Sequence, residues 1–163
     1  MLYKQEIYDY LKENSIPHEI TEHQAVFNME EVSAIDLPHP EADAKNLFIR
    51  DNRHKNYFMI TVKGDKRVDL KEFRRKLETR PLTFVRPDEL MDILGLIPGA
   101  VTPFGLLNDS ENKVTLYIDA AFSEGSGLIG VHPNDNTATV WLKVEDLIDI
   151  IRKHGNEVHV IEL

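Results

Sequence analysis

Cysteine is absent from the 163 residues, and with it go disulfide cross-links, thiolate nucleophiles and thiolate metal ligands. No apolar run approaches the roughly 20 residues needed to cross a bilayer. The charged, amphipathic start "MLYKQEIYDYLKEN" does not read as a signal peptide. Together these absences lead to the expectation of a soluble, cytoplasmic protein with no membrane partner. Also missing are G-x-x-x-x-G-K-[ST], G-x-G-x-x-G and H-E-x-x-H, so the phosphate-loop, dinucleotide and zinc-protease readings lack their required parts. The 7 His residues are scattered. "EITEH" and "PHPEAD" set imidazole near carboxylate without helical ligand spacing, so they read as surface histidines, and neither a metal nor a cofactor is expected.

The chain carries a formal charge of −9, which argues against a polyanionic partner until its distribution is examined. Residues 45–87 hold 13 of the 19 Lys+Arg and 5 of the 28 Asp+Glu, a local balance of +8 that leaves −17 for the rest. Such polarity suits a basic face for phosphate on an otherwise acidic molecule, and suits a solvated helix face equally well.

At this length one domain spanning 1–163 is expected, built as an α/β unit with a mixed, largely antiparallel sheet. Tyr3, Ile7 and Leu11 recur at i, i+4 and i+8, which predicts a first helix stopped by Asn14 and Pro17. "HEITEH" reads as a strand, and Asn28 with Glu31 has capping-box spacing for a second helix. "AKNLFIRD" and "YFMITVKG" are β-rich and joined by "NRHKN", which predicts a hairpin with Lys45 at its opening. "DLKEFRRKL" and "PDELMDILG" read as amphipathic helices, the first capped by Asp69 and the second ended by Gly95. Three strand-like runs follow, "VTLYID", "GLIGVH" and "ATVWLK". The closing helix "VEDLIDIIRKHG" and the strand "EVHVIEL" complete the chain.

Two segments invite chemistry. "PGAVTPFG" concentrates residues that neither a helix nor a central strand tolerates. It reads equally as a tight crossover or as a loop whose Gly99 lets a ligand approach main-chain amides. In "GLIGVHPNDNTATVWL" a strand ends in His132-Pro and another begins after Asn-Asp-Asn. Spacing alone favours a hairpin turn, although a histidine at a sheet mouth is placed to meet a ligand. Lys45 alone reads as a solvated strand-end lysine.

Taken together, "KNLFIRD", "GAVTPFGLLND" and "HPNDNTATV" resemble the YbaK/ProX-type aminoacyl-tRNA editing domains, above all the free-standing deacylases of Ala-tRNA(Pro). The resemblance runs from "HEITEH" to the last helix. It implies a barrel-like sheet surrounded by helices, and hydrolysis of the ester between a small amino acid and the terminal ribose of tRNA. By that resemblance Lys45, Gly99 and His132 stand at the reacting centre. Asn46, Ala100, Thr102 and Pro103 line the substrate pocket, and the partner is the acceptor end of tRNA(Pro). A transient association with prolyl-tRNA synthetase is compatible with it. The basic segment supplies phosphate contacts from Arg50, Arg53, Lys55, Lys63, Lys66, Arg67, Arg74 and Arg75. Pocket volume would separate alanine from cysteine or serine as the cleaved residue. Ester hydrolysis would separate an enzyme from a catalytically silent amino-acid or tRNA sensor.

Overall fold

The computed structural model describes residues 1–25, 37–64 and 66–163. The helix expected from Asn28 and Glu31 lies outside the described residues. Helix α1 (Lys4–Glu13) buries Ile7 and Leu11 as their spacing predicts and ends on Asn14. Tyr3, expected on the same stripe, is the N-cap residue and is 42% exposed.

Alternation of β-branched and aromatic residues builds the larger sheet. Strands β2 (Ala44–Asp51) and β3 (Tyr57–Lys63) form the expected antiparallel hairpin. Its turn is closed by Asp51, whose carboxylate accepts hydrogen bonds from the Arg53 and Lys55 amides and the Asn56 side chain. Short β4 (Leu82–Phe84) pairs with residues Ile49–Asp51 of β2, while β5 (Val114–Asp119) runs parallel to β3 and β8 (Val158–Ile161) parallel to β5. The five-stranded order is therefore β4-β2-β3-β5-β8. A second sheet has the order β1-β7-β6, from β1 (His18–Glu22), β6 (Leu128–Val131) and β7 (Ala138–Lys143), all antiparallel.

The sheets are mixed and largely antiparallel, as the sequence predicts, but the barrel-like closure is not found. Among the described residues two open sheets meet at one isolated parallel bridge, Asp43 to Gly130. The reason lies in β2, which has β3 along its whole length on one side and β4 only at its far end on the other. Its opening end is thus left free to touch β6, and only there.

Helix α2 (Leu70–Leu77) starts on the Asp69 carboxylate, which accepts from the Lys71 and Glu72 amides. Helix α3 (Pro87–Leu94) has Pro87 in its first turn and ends on left-handed Gly95, and α4 (Val144–His154) ends on left-handed Gly155. Two apolar clusters occupy opposite faces of the β2–β3 hairpin, as strand alternation requires. Phe48 and Met59 join Phe104, Leu116, Val131 and Leu147 on one face, while Ile49 and Ile60 pack with Phe73 of α2 on the other.

Candidate functional site

The opening end of β2, the end of β6 and the Pro/Gly loop converge. At the bridge, Gly130 lies opposite Trp141 in the β6–β7 register, and a Cβ there would collide with the indole ring. A glycine there makes room for the Trp141 ring beside the bridge. Because the bridge is parallel, β2 and β6 leave it in one direction, and Lys45 and His132 each stand two residues beyond it. Trp141 is fixed in turn by its Nε1, which donates to Thr21 Oγ1 at 3.0 Å.

The loop "PGAVTPFG" joins the same point from the other side. Residues 97–100 form a tight turn, closed by the Ala100 amide on the Ile97 carbonyl at 3.1 Å. Gly99 has φ +90°, the left-handed region in which a side chain is strained, and Pro98 before it supplies the fixed φ that such a turn uses. Among the described residues, the amides of Gly99 and Val101 have no main-chain acceptor. Thr102 is fully buried and its hydroxyl donates to the His132 carbonyl at 2.7 Å. The loop is thus locked to the end of β6, and Pro103 then opens a 3-10 helix over Pro103–Asn108.

Functional side chains gather on this frame. The half-buried Lys45 ammonium has neither a hydrogen-bond nor an ion-pair partner among the described residues. His132 Nδ1 lies 2.8 Å from the Ala138 carbonyl. A carbonyl only accepts, so Nδ1 carries the proton and the Nε2 lone pair stays available. Burial, the largest influence, pushes the imidazole below its ordinary value, against the opposing pull of the Ala138 bond, and so favours the neutral ring. His23 stands edge-on to His132 with ring centroids 6.1 Å apart. Burial, the largest influence, raises the Asp43 carboxyl to about 6, and His23 pulls the other way.

Of the residues expected from sequence, Lys45 and His132 each stand two residues beyond the bridge, and Thr102 ties the loop of Gly99, Ala100 and Pro103 to the His132 carbonyl. Asn46 lies on the opposite strand face from Lys45, its Oδ1 accepting from Thr61 Oγ1 at 2.6 Å. Thr102 and Ala100, expected as pocket wall, are buried and hold the loop together, Thr102 through the His132 carbonyl and Ala100 through the Ile97 carbonyl. His23 and Asp43 come from "EITEH" and "PHPEAD", which read as surface from spacing alone. The available signal was a histidine and a carboxylate each bordering a strand.

The basic residues divide. Arg50 corrects the expectation of a surface phosphate contact: it is buried, with Nε 3.1 Å from Glu89 and a second bond to the Asp51 carbonyl. Lys63 pairs with Ala44 beside Lys45, and exposed Lys66 reaches Asp119 at 2.8 Å. Arg53 and Lys55 are exposed at the hairpin turn, about 20 Å along β2 from Lys45 at some 3.3 Å per residue. Arg67 is exposed ahead of α2. Arg74 and Arg75 line a surface depression of about 490 Å³ with Lys71, Glu78 and Thr79.

Comparisons with known proteins show what the chain as a whole is similar to. The model of the aminoacyl-tRNA editing domain matches residues 23–150. The prolyl-tRNA editing protein ProX of Acetoanaerobium sticklandii is 38% identical over 160 residues, covering 98% of this chain and 97% of that protein. The prolyl-tRNA synthetase associated domain-containing protein 1 of Mus musculus is 31% identical over 150 residues, covering 88% and 86%. Among solved structures, the hypothetical protein APE2540 superposes with a TM-score of 0.71 at 16% identity over 94% of this chain and 97% of its own.

Proposed function

Because the chain belongs to the aminoacyl-tRNA editing domain family, we propose that it hydrolyses the ester of a mischarged tRNA(Pro), releasing alanine from Ala-tRNA(Pro) and sparing Pro-tRNA(Pro). The observation that carries this reading is the seam where an unpaired lysine and a neutral histidine stand beyond one bridge, with the loop of the free Gly99 and Val101 amides tied to the histidine's carbonyl through Thr102. A relative of similar length is named for prolyl-tRNA editing, which supports tRNA(Pro) as the substrate. A synthetase pocket shaped for proline rejects smaller alanine by only about 1 to 3 kcal/mol per missing methylene, so a second hydrolytic site supplies the remaining discrimination.

The chemistry needs no protein nucleophile. Water adds to the ester carbonyl carbon, the carbonyl oxygen becomes an oxyanion, and collapse expels the ribose oxygen, which takes a proton as the free amino acid leaves. The Gly99 and Val101 amides are available to the oxyanion. The Lys45 ammonium is available to the terminal phosphate or the ester carbonyl, and His132 Nε2 to orient a hydroxyl or the water. Positioning and charge stabilisation are the protein's share.

A deacylation panel with tRNA(Pro) charged with alanine, cysteine, serine or proline tests the reading. Alanine is expected to be released far faster than proline. Equal cleavage of the alanyl and prolyl esters would sink it, fastest release of cysteine or serine would reassign the substrate, and binding without hydrolysis would make the protein a sensor.

A further inference from the structure

The proposed hydrolysis gives no role to Asp43, the residue that makes the bridge to Gly130. We infer that its carboxylate binds the α-ammonium group of the aminoacyl ester, making a free amino group a requirement of the site. The inference rests on the proposed deacylase reading and adds a recognition element to it.

The position is rigid. The Asp43 main chain bridges to Gly130, its carbonyl accepts from the Gly64 amide at 2.7 Å, and its amide donates to the Pro40 carbonyl at 3.4 Å. Lys45 follows two residues later, on the same face of an extended chain and about 7 Å away.

The carboxylate is also unsatisfied. Among the described residues it has no hydrogen-bond or ion-pair partner, although it is half-buried. Other carboxylates shielded from water are provided for. Asp109 accepts from two amides and Asn156, Asp119 from two amides and Lys66, and Glu89 from Arg50, His54 and Tyr57. A desolvated carboxylate left without a donor is costly, and a cation arriving with the substrate removes the cost. The neighbouring imidazoles do not serve. His23 engages Gln24 and Thr139 through its two nitrogens, and His132 spends its Nδ1 proton on Ala138.

The chemistry of the ligand is complementary. An aminoacyl ester presents one ammonium and, two bonds away, one ester carbonyl, with the ribose and phosphate beyond. The seam presents one free carboxylate and one free ammonium on a single strand face. Docking the α-ammonium on Asp43 turns the carbonyl side toward Lys45 and the Gly99 loop. An ester whose amino group is acylated, as in a peptidyl-tRNA, lacks the cation and is excluded.

The test compares wild type and Asp43→Asn on tRNA(Pro) carrying alanine or lactate, which keeps the ester and the methyl group and replaces the ammonium by a hydroxyl. Each variant-to-wild-type ratio is taken on one ester, so intrinsic ester reactivity cancels. The expected result is a loss of tenfold or more in kcat/KM on the alanyl ester with no change on the lactyl ester, while Asp43→Asn melts no lower than wild type. An equal fall on both esters, or no fall on either, overturns the inference. Binding of non-hydrolysable 3′-alanylamido- and 3′-lactylamido-adenosine gives a readout without turnover. Selective weakening of the alanylamide by Asp43→Asn supports ammonium recognition even if no ester is cleaved, in which case only the hydrolase reading fails. Equal affinities of wild type for both amides would refute the inference whatever the hydrolysis result.

Discussion

Lys45 separates stability from function at the scale of a single side chain. Its ammonium is unpaired among the described residues, so Lys45→Ala removes no native interaction of consequence. The expected outcome is a melting temperature within about 2 °C of wild type and a deacylation rate lower by about a hundredfold, the scale of losing one charge-stabilising donor. Near-normal turnover by a folded variant would return Lys45 to a solvated strand-end role. At this scale the sequence was uneven. Lys45 and His132 stand out as candidates only through the resemblance of their motifs to the editing domains, since alone one reads as a solvated lysine and the other as part of a turn. Asp43 and His23 do not, because nothing local says that Asp43 will bridge to Gly130 or that His23 will pack against His132. Arg50 misleads for the opposite reason: an arginine in a basic run looks solvated until Glu89 of α3 folds over it.

Among the elements, the tight turn at residues 97–100 sets where the loop amides point. Replacing Gly99 by Ala forces a side chain into φ +90°, at a cost of about 1 to 2 kcal/mol. Loss of activity is expected to exceed what that destabilisation explains, measured as kcat at a temperature where the variant is fully folded. On α2, reversing the charge of Arg74 and Arg75 is expected to weaken tRNA binding and to lower the log-log salt slope by roughly 0.7 to 0.9 for each phosphate that is no longer neutralised. An unchanged slope would make that helix a bystander. Helices α2, α3 and α4 and the two hairpins were readable in the sequence because caps, terminators and period-2 runs are local signals. Strand β4 was not, being three residues long and held only by pairing to the end of β2. The parallel neighbours β3-β5 and β5-β8 are set by distant packing, which no local pattern encodes.

For the molecule as a whole, opposed titrations shape the dependence of stability on pH. Burial holds the His132 imidazole below its ordinary value, so the unfolded chain takes up that proton first and stability falls as pH drops below about 6.5. Asp43 acts with the opposite sign. Its carboxyl is raised to about 6, so the folded state protonates first and gains stability as pH falls from there toward about 4. Lower still, Asp51, Glu89 and Asp119 titrate below the usual carboxylate range. Burial raises each, but hydrogen bonds outweigh it, and their support is lost as they protonate. Wild type should therefore show a shallow profile between about pH 6.5 and 4 and a steep decline below. Asp43→Asn removes the middle contribution and should decline from about 6.5 onward, as read by denaturant midpoints across pH; a curve parallel to wild type would contradict the assignment. The single bridge found between the sheets among the described residues has a kinetic counterpart in amide hydrogen exchange. Strand β3 is paired on both sides and should exchange only through global unfolding, whereas β6, bonded among the described residues to β7 alone apart from the bridge at Gly130, lies at a sheet edge and can exchange through local opening of its ladder with β7. A ligand spanning Lys45 and the Gly99 loop would close that faster route while leaving the exchange of β3 at its own rate.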